Sequence, residues 1–527
     1  MTARPKAREQ APSGVVLLLR LALALVSLGV LGIFGWMVAH RLPYPYDLEW
    51  MESGMLCHAL RLLNGQPIYA PPSVDFIPHL YTPLWSMVVA GLGKLLGDVS
   101  YALGRGVSLV ALIGALSVGG YAAFREGGSR LTALAAMMIP LVTFPQTGGF
   151  LDLARADSLG LSLTVSGAML AWYGRESHGR LVLAALLLVA AFFAKQTAAP
   201  MIVFVALAML ATRKRTVLTF AVCGVLSFGL LLYWQNRASQ GWFWTYIFQL
   251  HQSHPFSNKR AFVEAPRVLL GLLWPGLLLL LWAGLAQLGK RLGEQSSLGL
   301  WYLAWLALGG ILASCVGFGT QWAHTNAYIP GVFFSSIAIG AAAGRLLKRP
   351  AGPRITGPSQ QHRRARLLRE ALVLGLLLVA LVPWLLRLHP RDHMPTQADR
   401  QAGDSVIAVL RSAPGEVLIP FHPFYAHLAG KQTYLHRMGV WDVRGTVAGP
   451  VRGLVAALAT QKFSRIVFNE KVEYTWQDWP DVLLHYRVTA YIRGPRMFEG
   501  AQTAPALVLE PIARVPADQQ SPAPMLQ

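Results

Sequence analysis

The sequence predicts an all-α polytopic membrane protein of about eleven transmembrane helices, followed by a small C-terminal extracytoplasmic α/β domain. Three observations carry that reading. The 527 residues are 54% hydrophobic and only 13% charged, where a soluble domain carries about 25% charge, and the mean hydropathy is +0.43. Apolar runs of spanning or near-spanning length recur between residues 14 and 387. The charge is lopsided, with 46 Lys and Arg against 25 Asp and Glu for a net +21, and many of the bases fall between apolar runs, as they do in cytoplasmic loops. This profile excludes a disordered chain, a collagen-like chain and an ordinary soluble enzyme. The placement of the bases argues for anionic lipid and against nucleic acid. The three cysteines, Cys57, Cys223 and Cys315, form no CxxC pattern, so neither a disulfide framework nor a zinc ribbon is expected.

The first run, roughly residues 14–38, follows Arg4, Lys6 and Arg8. It is too long for a signal-peptide core and lacks a clear small-residue cleavage site, which predicts an uncleaved span leaving the cytoplasm. Further runs lie near 104–124, 131–149, 158–173, 181–194, 197–212, 216–235, 267–288, 299–317, 327–344 and 369–387. Several fall short of the ~20 residues a perpendicular helix needs, and 181–212 makes two spans only if the chain turns tightly near Lys195. Residues 83–97 (PLWSMVVAGLGKLLG) are apolar but short. A full crossing there would move Asp152 to the wrong side, so a partial or re-entrant helix is expected.

Arg125/Arg130, Arg175/Arg180, Arg213–Arg215, Lys290/Arg291 and the cluster 345–369 mark the cytoplasmic loops. Alternation then places 39–82, 150–157, the turn at 195–196, 236–266, 318–326 and 388–527 outside. The chain therefore divides into a membrane domain, 1–387, and an extracytoplasmic domain, 388–527, with an Arg/Pro/Gly-rich cytoplasmic linker at 349–368. In the second domain GEVLIPF (415–421) and SRIVFNE (464–470) read as strands around a helix-like 451–461.

The outer segments hold the chemistry-bearing residues. Loop 39–82 places Asp47, Glu49 and Glu52 within six residues. On a helix, Glu49 and Glu52 share a face, where like charges raise one another's pKa and suit a general base or a cation site. The bland alternative is a solvated helix start, since acids favour a first turn. In GGFLDLARADSLGL (148–161), Asp152 and Asp157 flank Arg155 at the mouth of a span; an internal ion pair with a helix cap is the plain reading. Lys195 sits deep in an apolar stretch, where a charge is costly and functional by default, or else snorkels from a helix end. Facing outward, it suits a lipid-linked phosphate. His251 and His254, three residues apart with Lys259 and Arg260 following, suggest a metal pair whose third ligand is not identified, or an aromatic belt with polar residues at the water edge. Gln321, His324 and Asn326 are weaker candidates for the same cavity.

Asp47-Leu-Glu49-Trp-Met-Glu52, ALRLLNGQPIY (59–69), the Tyr-Thr-Pro-Leu run at 81–84, LARADSLGL (153–161) and AKQT (194–197) together resemble the GT-C superfamily of integral-membrane glycosyltransferases, in particular bacterial members related to the protein mannosyltransferase and aminoarabinose transferase groups. The resemblance covers roughly residues 10–345, and 388–527 resembles the extracytoplasmic tails of some members. It implies transfer of a sugar from a polyprenyl-phosphate carrier to an envelope lipid, glycan or protein on the outer face, usually with inversion. It also implies that the family's first-loop acid falls on Asp47, Glu49 or Glu52, with Asp157 orienting Arg155 or helping to hold a cation. A phosphate leaving group needs cations or a metal, for which Lys195 and Arg155 are candidates and Arg61 a weaker one. Tyr81 and Gln196 join the substrate-binding set with Asp152, His251 and His254. The metal requirement stays open, with a divalent cation as the candidate cofactor. No GxxxxGK[ST] or GxSxG motif occurs. A lipid or polysaccharide transporter of flippase type and a non-catalytic scaffold are the competing classes.

Overall fold

An α-helix lies in each of the eleven apolar runs, ending at Val142 in the run 131–149, in a computed structural model that describes residues 14–212, 214–288, 295–348, 360–469, 479 and 482–512. In chain order the first nine helices are α1 (Gly14–Arg41), α2 (Met51–Leu63), α3 (Leu84–Leu96), α4 (Tyr101–Gly127), α5 (Arg130–Val142), α6 (Asp157–Tyr173), α7 (His178–Ala194), α8 (Ala199–Ala211) and α9 (Thr216–Ala238). Then follow α10 (Ala265–Leu288), α11 (Gln295–Gly319), α12 (Ile329–Lys348) and α13 (Gln360–Arg387). Among the described residues seven helices are long and apolar enough to cross a membrane; α3, α5, α7 and α8 are shorter apolar helices. Such side chains as Leu25, Val110, Val225 and Leu285 stand exposed on the outside of the bundle, which a lipid solvent explains and water does not. The expected break at Lys195 is present: its backbone is extended (φ −152°) between the last turn of α7 and a short 3₁₀ turn that leads into α8. Arg4, Lys6, Arg8, Arg213, Lys290, Arg291, Glu470 and the 349–359 part of the linker lie outside the described residues.

Two ends of the bundle differ in kind. At one, Arg345 pairs with Glu126 (2.7 Å), Arg125 lies over Tyr173 and Lys214 reaches Glu176 (2.9 Å), so several basic loops meet there. At the other end the first loop, 150–157, 195–196, 242–257 and 318–326 converge under the C-terminal unit. Helix α3 does not change ends. Just before it, the Thr82 hydroxyl donates to the Phe192 carbonyl (2.9 Å) at the end of α7. Just after it, Asp98 faces His427 (3.1 Å) and Tyr101 packs on Phe424, both in the C-terminal unit. Its Leu92, Leu95 and Leu96 are exposed while Trp85 and Val89 are buried, the two-faced character of a helix lying at an interface.

The C-terminal unit carries α14 (Gln397–Arg411) and strands β1 (Glu416–Leu418), β2 (Phe463–Asn469), β3 (Tyr486–Tyr491) and β4 (Pro505–Pro511). The sheet order is β1-β2-β4-β3, with β1 and β2 parallel and the other pairs antiparallel. Parallel pairing needs a crossover, and the predicted helix at 451–461 is present as Leu454–Ala459. Val417, Leu418, Ile466, Val467, Phe468 and Leu509 are buried in its core. Main-chain bonds stitch this unit to the first loop: Val74 to Arg452 (2.9 Å), Leu435 to Val74 (3.1 Å), and both the Phe498 and Glu499 N–H groups to the Leu48 carbonyl (3.0 Å each).

Candidate active site

The site is built on buried charge. Glu52, in the first turn of α2, is fully buried and saturated. It accepts from Arg105 Nε (2.9 Å) and Nη2 (2.7 Å) and from the Leu48 and Ala154 N–H groups (2.7 Å each). Arg105 also donates to the carbonyls of Arg41, Tyr44 and Tyr46. Burial pushes the Glu52 carboxyl up, but Arg105 and the two N–H groups outweigh it and hold the group below the usual glutamate range. Asp152 is engaged by Arg41 at both oxygens (2.7 and 2.9 Å), and Arg41 also reaches Glu499 (2.8 Å), which His393 contacts at 2.9 Å. These two constellations tie α1, α2, α4 and the 150–157 loop to the C-terminal unit.

Next to them lies a less saturated cluster. Glu49 takes one charged hydrogen bond, from Arg155 Nη1 (2.6 Å), and a longer one from the Met51 N–H (3.2 Å). Burial, against the pull of Arg155, raises its carboxyl to about 7. Arg155 Nη2 donates to the Tyr81 hydroxyl (2.5 Å), and its Nε lies 3.7 Å from Asp157. Asp157 accepts from the Lys195 ammonium and from Asn326 Nδ2 (2.8 Å), while its Oδ2 has no hydrogen-bond partner. Gly500 (φ +67°) lies over Glu49, where a Cβ would fall 2.9 Å from Glu49 Cγ. Only a residue without a side chain fits there in that backbone conformation.

The structure brings Glu49, Tyr81, Arg155, Asp157 and Lys195 together and separates the remaining candidates. Asp47 lies behind the cluster, bonded to His422 (2.7 Å), whose other ring nitrogen lies 2.5 Å from the Thr503 carbonyl. Burial lifts its carboxyl to about 6, with His422 opposing. His251 and the Gln196 amide both meet the Leu80 carbonyl and one another (2.9 Å), at the rim. His254 faces Asp442 (3.6 Å), and its ring meets that of His251 edge-on with centroids 5.7 Å apart. Arg61 donates to the Pro67 carbonyl (3.2 Å) and covers Phe76, apart from the cluster. Among the described residues no group of three or more His, Cys, Asp or Glu is arranged to hold a metal ion. Glu49 and Asp157 would each have to release a cation to take one.

Arg41, Arg105, His422 and Glu499 complete this end of the molecule, and the sequence reading passed over them. Arg105 carried a usable signal, a charge four residues into an apolar helix. Glu499 lies 458 residues from Arg41, and no local pattern announces such a pair.

No family model and no curated protein matches the sequence. Solved structures do. ArnT from Cupriavidus metallidurans in the apo state is 14% identical, with a TM-score of 0.53 over 94% of this chain and 97% of that one. The same protein bound to undecaprenyl phosphate gives 0.53 at 14% identity, over 95% and 98%. The archaeal oligosaccharyltransferase AglB from Archaeoglobus fulgidus, in complex with an inhibitory peptide and a dolichol-phosphate, gives 0.51 at 11% identity, over 90% of this chain and 73% of that one. The shared fold is the GT-C fold. At these identities the likeness is one of architecture, and it extends through the C-terminal sheet as well as the helices.

Proposed function

We propose that this GT-C-fold protein is a membrane glycosyltransferase that moves a sugar from a polyprenyl-phosphate donor to an envelope lipid, glycan or protein. Residues 1–387 form the membrane domain and 388–527 the domain outside. The N-terminus is cytoplasmic and the site opens on the outer face of the plasma membrane, a placement supported by the gathering of basic loops at the opposite end. The observation that carries the reading is Glu49: a buried carboxyl held near neutrality, joined through Arg155 to Asp157 and Lys195 at the end of a lipid-facing bundle.

In this reading the acceptor hydroxyl gives its proton to Glu49 as its oxygen attacks the anomeric carbon. The bond from that carbon to the phosphate oxygen breaks, and the configuration inverts. A base titrating near the working pH is the effective one. Ionised Glu49 and Asp157 balance Arg155 and Lys195. Once Glu49 takes the proton, Arg155 loses its counter-charge and turns its field on the departing phosphate beside Lys195. Glu49 is therefore the general base, Asp157 positions the two cations, and Tyr81 orients Arg155. Glu52, Asp152 and Asp47 hold the loop that carries the base.

The test is genetic and chemical. Envelope glycans of a strain deleted for the gene are compared by mass spectrometry with those of strains complemented by wild type or by Glu49→Gln. A sugar mass is expected to disappear on deletion and to return only with wild type. Its return with Glu49→Gln would exclude Glu49 as the base.

A further inference from the structure

Outside the cluster, three described residues other than glycine have positive φ, Gln240, Trp322 and Gln461, and Trp322 is the bulkiest of them. Trp322 has φ +65° and is 50% exposed. A bulky residue in the left-handed region is an outlier, and such outliers persist where surrounding contacts impose them, often at ligand sites. The contacts here are explicit. Arg260 donates to the carbonyls on both sides of Trp322, at Thr320 (3.3 Å) and Ala323 (2.5 Å), and its guanidinium lies over Phe318. The Gln321 N–H bonds the Pro255 carbonyl (3.0 Å), and the Ser257 N–H bonds the Gly319 carbonyl (2.8 Å). The loop is clamped at its base, and the indole is thrust out.

The ring lands on another. Trp322 stacks on Trp441 of the C-terminal unit, with centroids 5.1 Å apart and planes 14° from parallel, and Arg437 lies 3.6 Å over the Trp441 ring. An interfacial tryptophan that merely anchors a helix in lipid needs neither the strain nor the partner. Beside the stack, Asp442 is 4% exposed and its Oδ1 faces His254 at 3.6 Å, beyond hydrogen-bond distance. Four residues beyond Trp322, Asn326 donates to Asp157. The stack and the Glu49 cluster are thus two ends of one short loop.

We propose that Trp322, backed by Trp441, is a platform for a neutral pyranose ring of the acceptor. An indole face carries negative potential and complements the C–H face of a sugar. This rests on the transferase reading and narrows its acceptor to a glycan or glycosylated lipid.

The experiment uses the full chain in lipid nanodiscs, titrated with tetrasaccharides of glucose, mannose, galactose and N-acetylglucosamine, and separately with undecaprenyl phosphate. At least one tetrasaccharide is expected to bind. Trp322→Tyr should stay within about threefold of wild type, and Trp322→Gly should weaken binding about tenfold, equivalent to about 1.4 kcal/mol. Glycine accepts the left-handed backbone without strain, so loss of binding in Trp322→Gly with an unchanged melting temperature is not misfolding. Undecaprenyl phosphate should bind that variant as it binds wild type. The proposal falls if no tetrasaccharide binds wild type or if Trp322→Gly binds normally. Equal weakening of undecaprenyl phosphate would give the platform to the donor and overturn the acceptor assignment. Failure of wild type to bind undecaprenyl phosphate would count against the transferase reading alone, leaving the saccharide result to stand.

Discussion

Glu49 and Glu52 are three residues apart and both are buried, yet they sit in opposite chemical worlds. Glu52 is enclosed by four donors, two from Arg105 and two from backbone, and stays ionised below the usual range. Glu49 has one charged donor and one long backbone contact, and is lifted to about 7. Two carboxyls whose surroundings drive their proton affinities apart take different jobs. The saturated one is a fastener, and the undersupplied one is free to exchange a proton. Asp152 and Asp157 repeat the contrast: Asp152 is gripped at both oxygens by Arg41, and one Asp157 oxygen has no hydrogen bond and only a 3.7 Å approach from Arg155 Nε.

The contrast can be broken from either side. The largest effect is expected at the fastener. Arg105→Ala leaves Glu52 charged, buried and unpaired, a loss of about 3–5 kcal/mol for breaking one side of a buried pair. Thermal unfolding in detergent should show a much less stable protein; a wild-type melting temperature would refute the role. Glu49→Gln should do the reverse. Its fold is kept, while turnover falls about 10²–10⁴-fold, the usual contribution of a general base. Wild-type turnover in that variant would remove the distinction between the two glutamates. Lys195→Ala should weaken undecaprenyl phosphate about 10–100-fold, as expected for one lost charged hydrogen bond, with acceptor affinity unaltered; unchanged lipid-phosphate binding would take Lys195 out of the site.

The smallest effect is in pH. In its proposed role Glu49 acts deprotonated, so activity should fall about tenfold per pH unit below about 7. Stability runs the other way. A carboxyl raised on folding favours the folded state below its unfolded value, and that contribution is lost as pH rises through about 7. Glu49→Gln should therefore melt at a higher temperature than wild type at pH 8 and lack this decline. A parallel decline in the variant would assign the titration to another group.

The spans were legible because lipid imposes a continuous apolar run on each of them, and the polar break at Lys195 divided 181–212 where the helix does end. That α3 starts and finishes at one end followed from its length and from the parity of the basic loops. Of the cluster, the sequence showed that acids and bases gather in 39–82, 150–157 and 195–196. It could not show which acid is saturated, because the deciding partners of Glu52 and Asp152 are Arg105, Arg41 and the Ala154 N–H, each brought there by folding alone. Strands β3 and β4 were also missed: in the sequence they are short runs next to a proline-rich stretch, and their pairing with β2 is long-range. The left-handed backbone at Trp322 has no signature at all, since the residue type argues against it.

The stretch Phe498–Gly500 bears on how the protein is made. It bonds Leu48, lies over Glu49 and supplies the carboxylate that Arg41 shares with Asp152. Each helix of the bundle can enter the membrane as it leaves the ribosome, but the pocket around Glu49 stays unfinished until residue 500 has been synthesised and has reached the same side. During that interval Arg41 lacks one of its two carboxylates and Glu49 stands uncovered. A ribosome that stalls short of residue 499 therefore leaves an inserted bundle whose buried acids are not yet closed over.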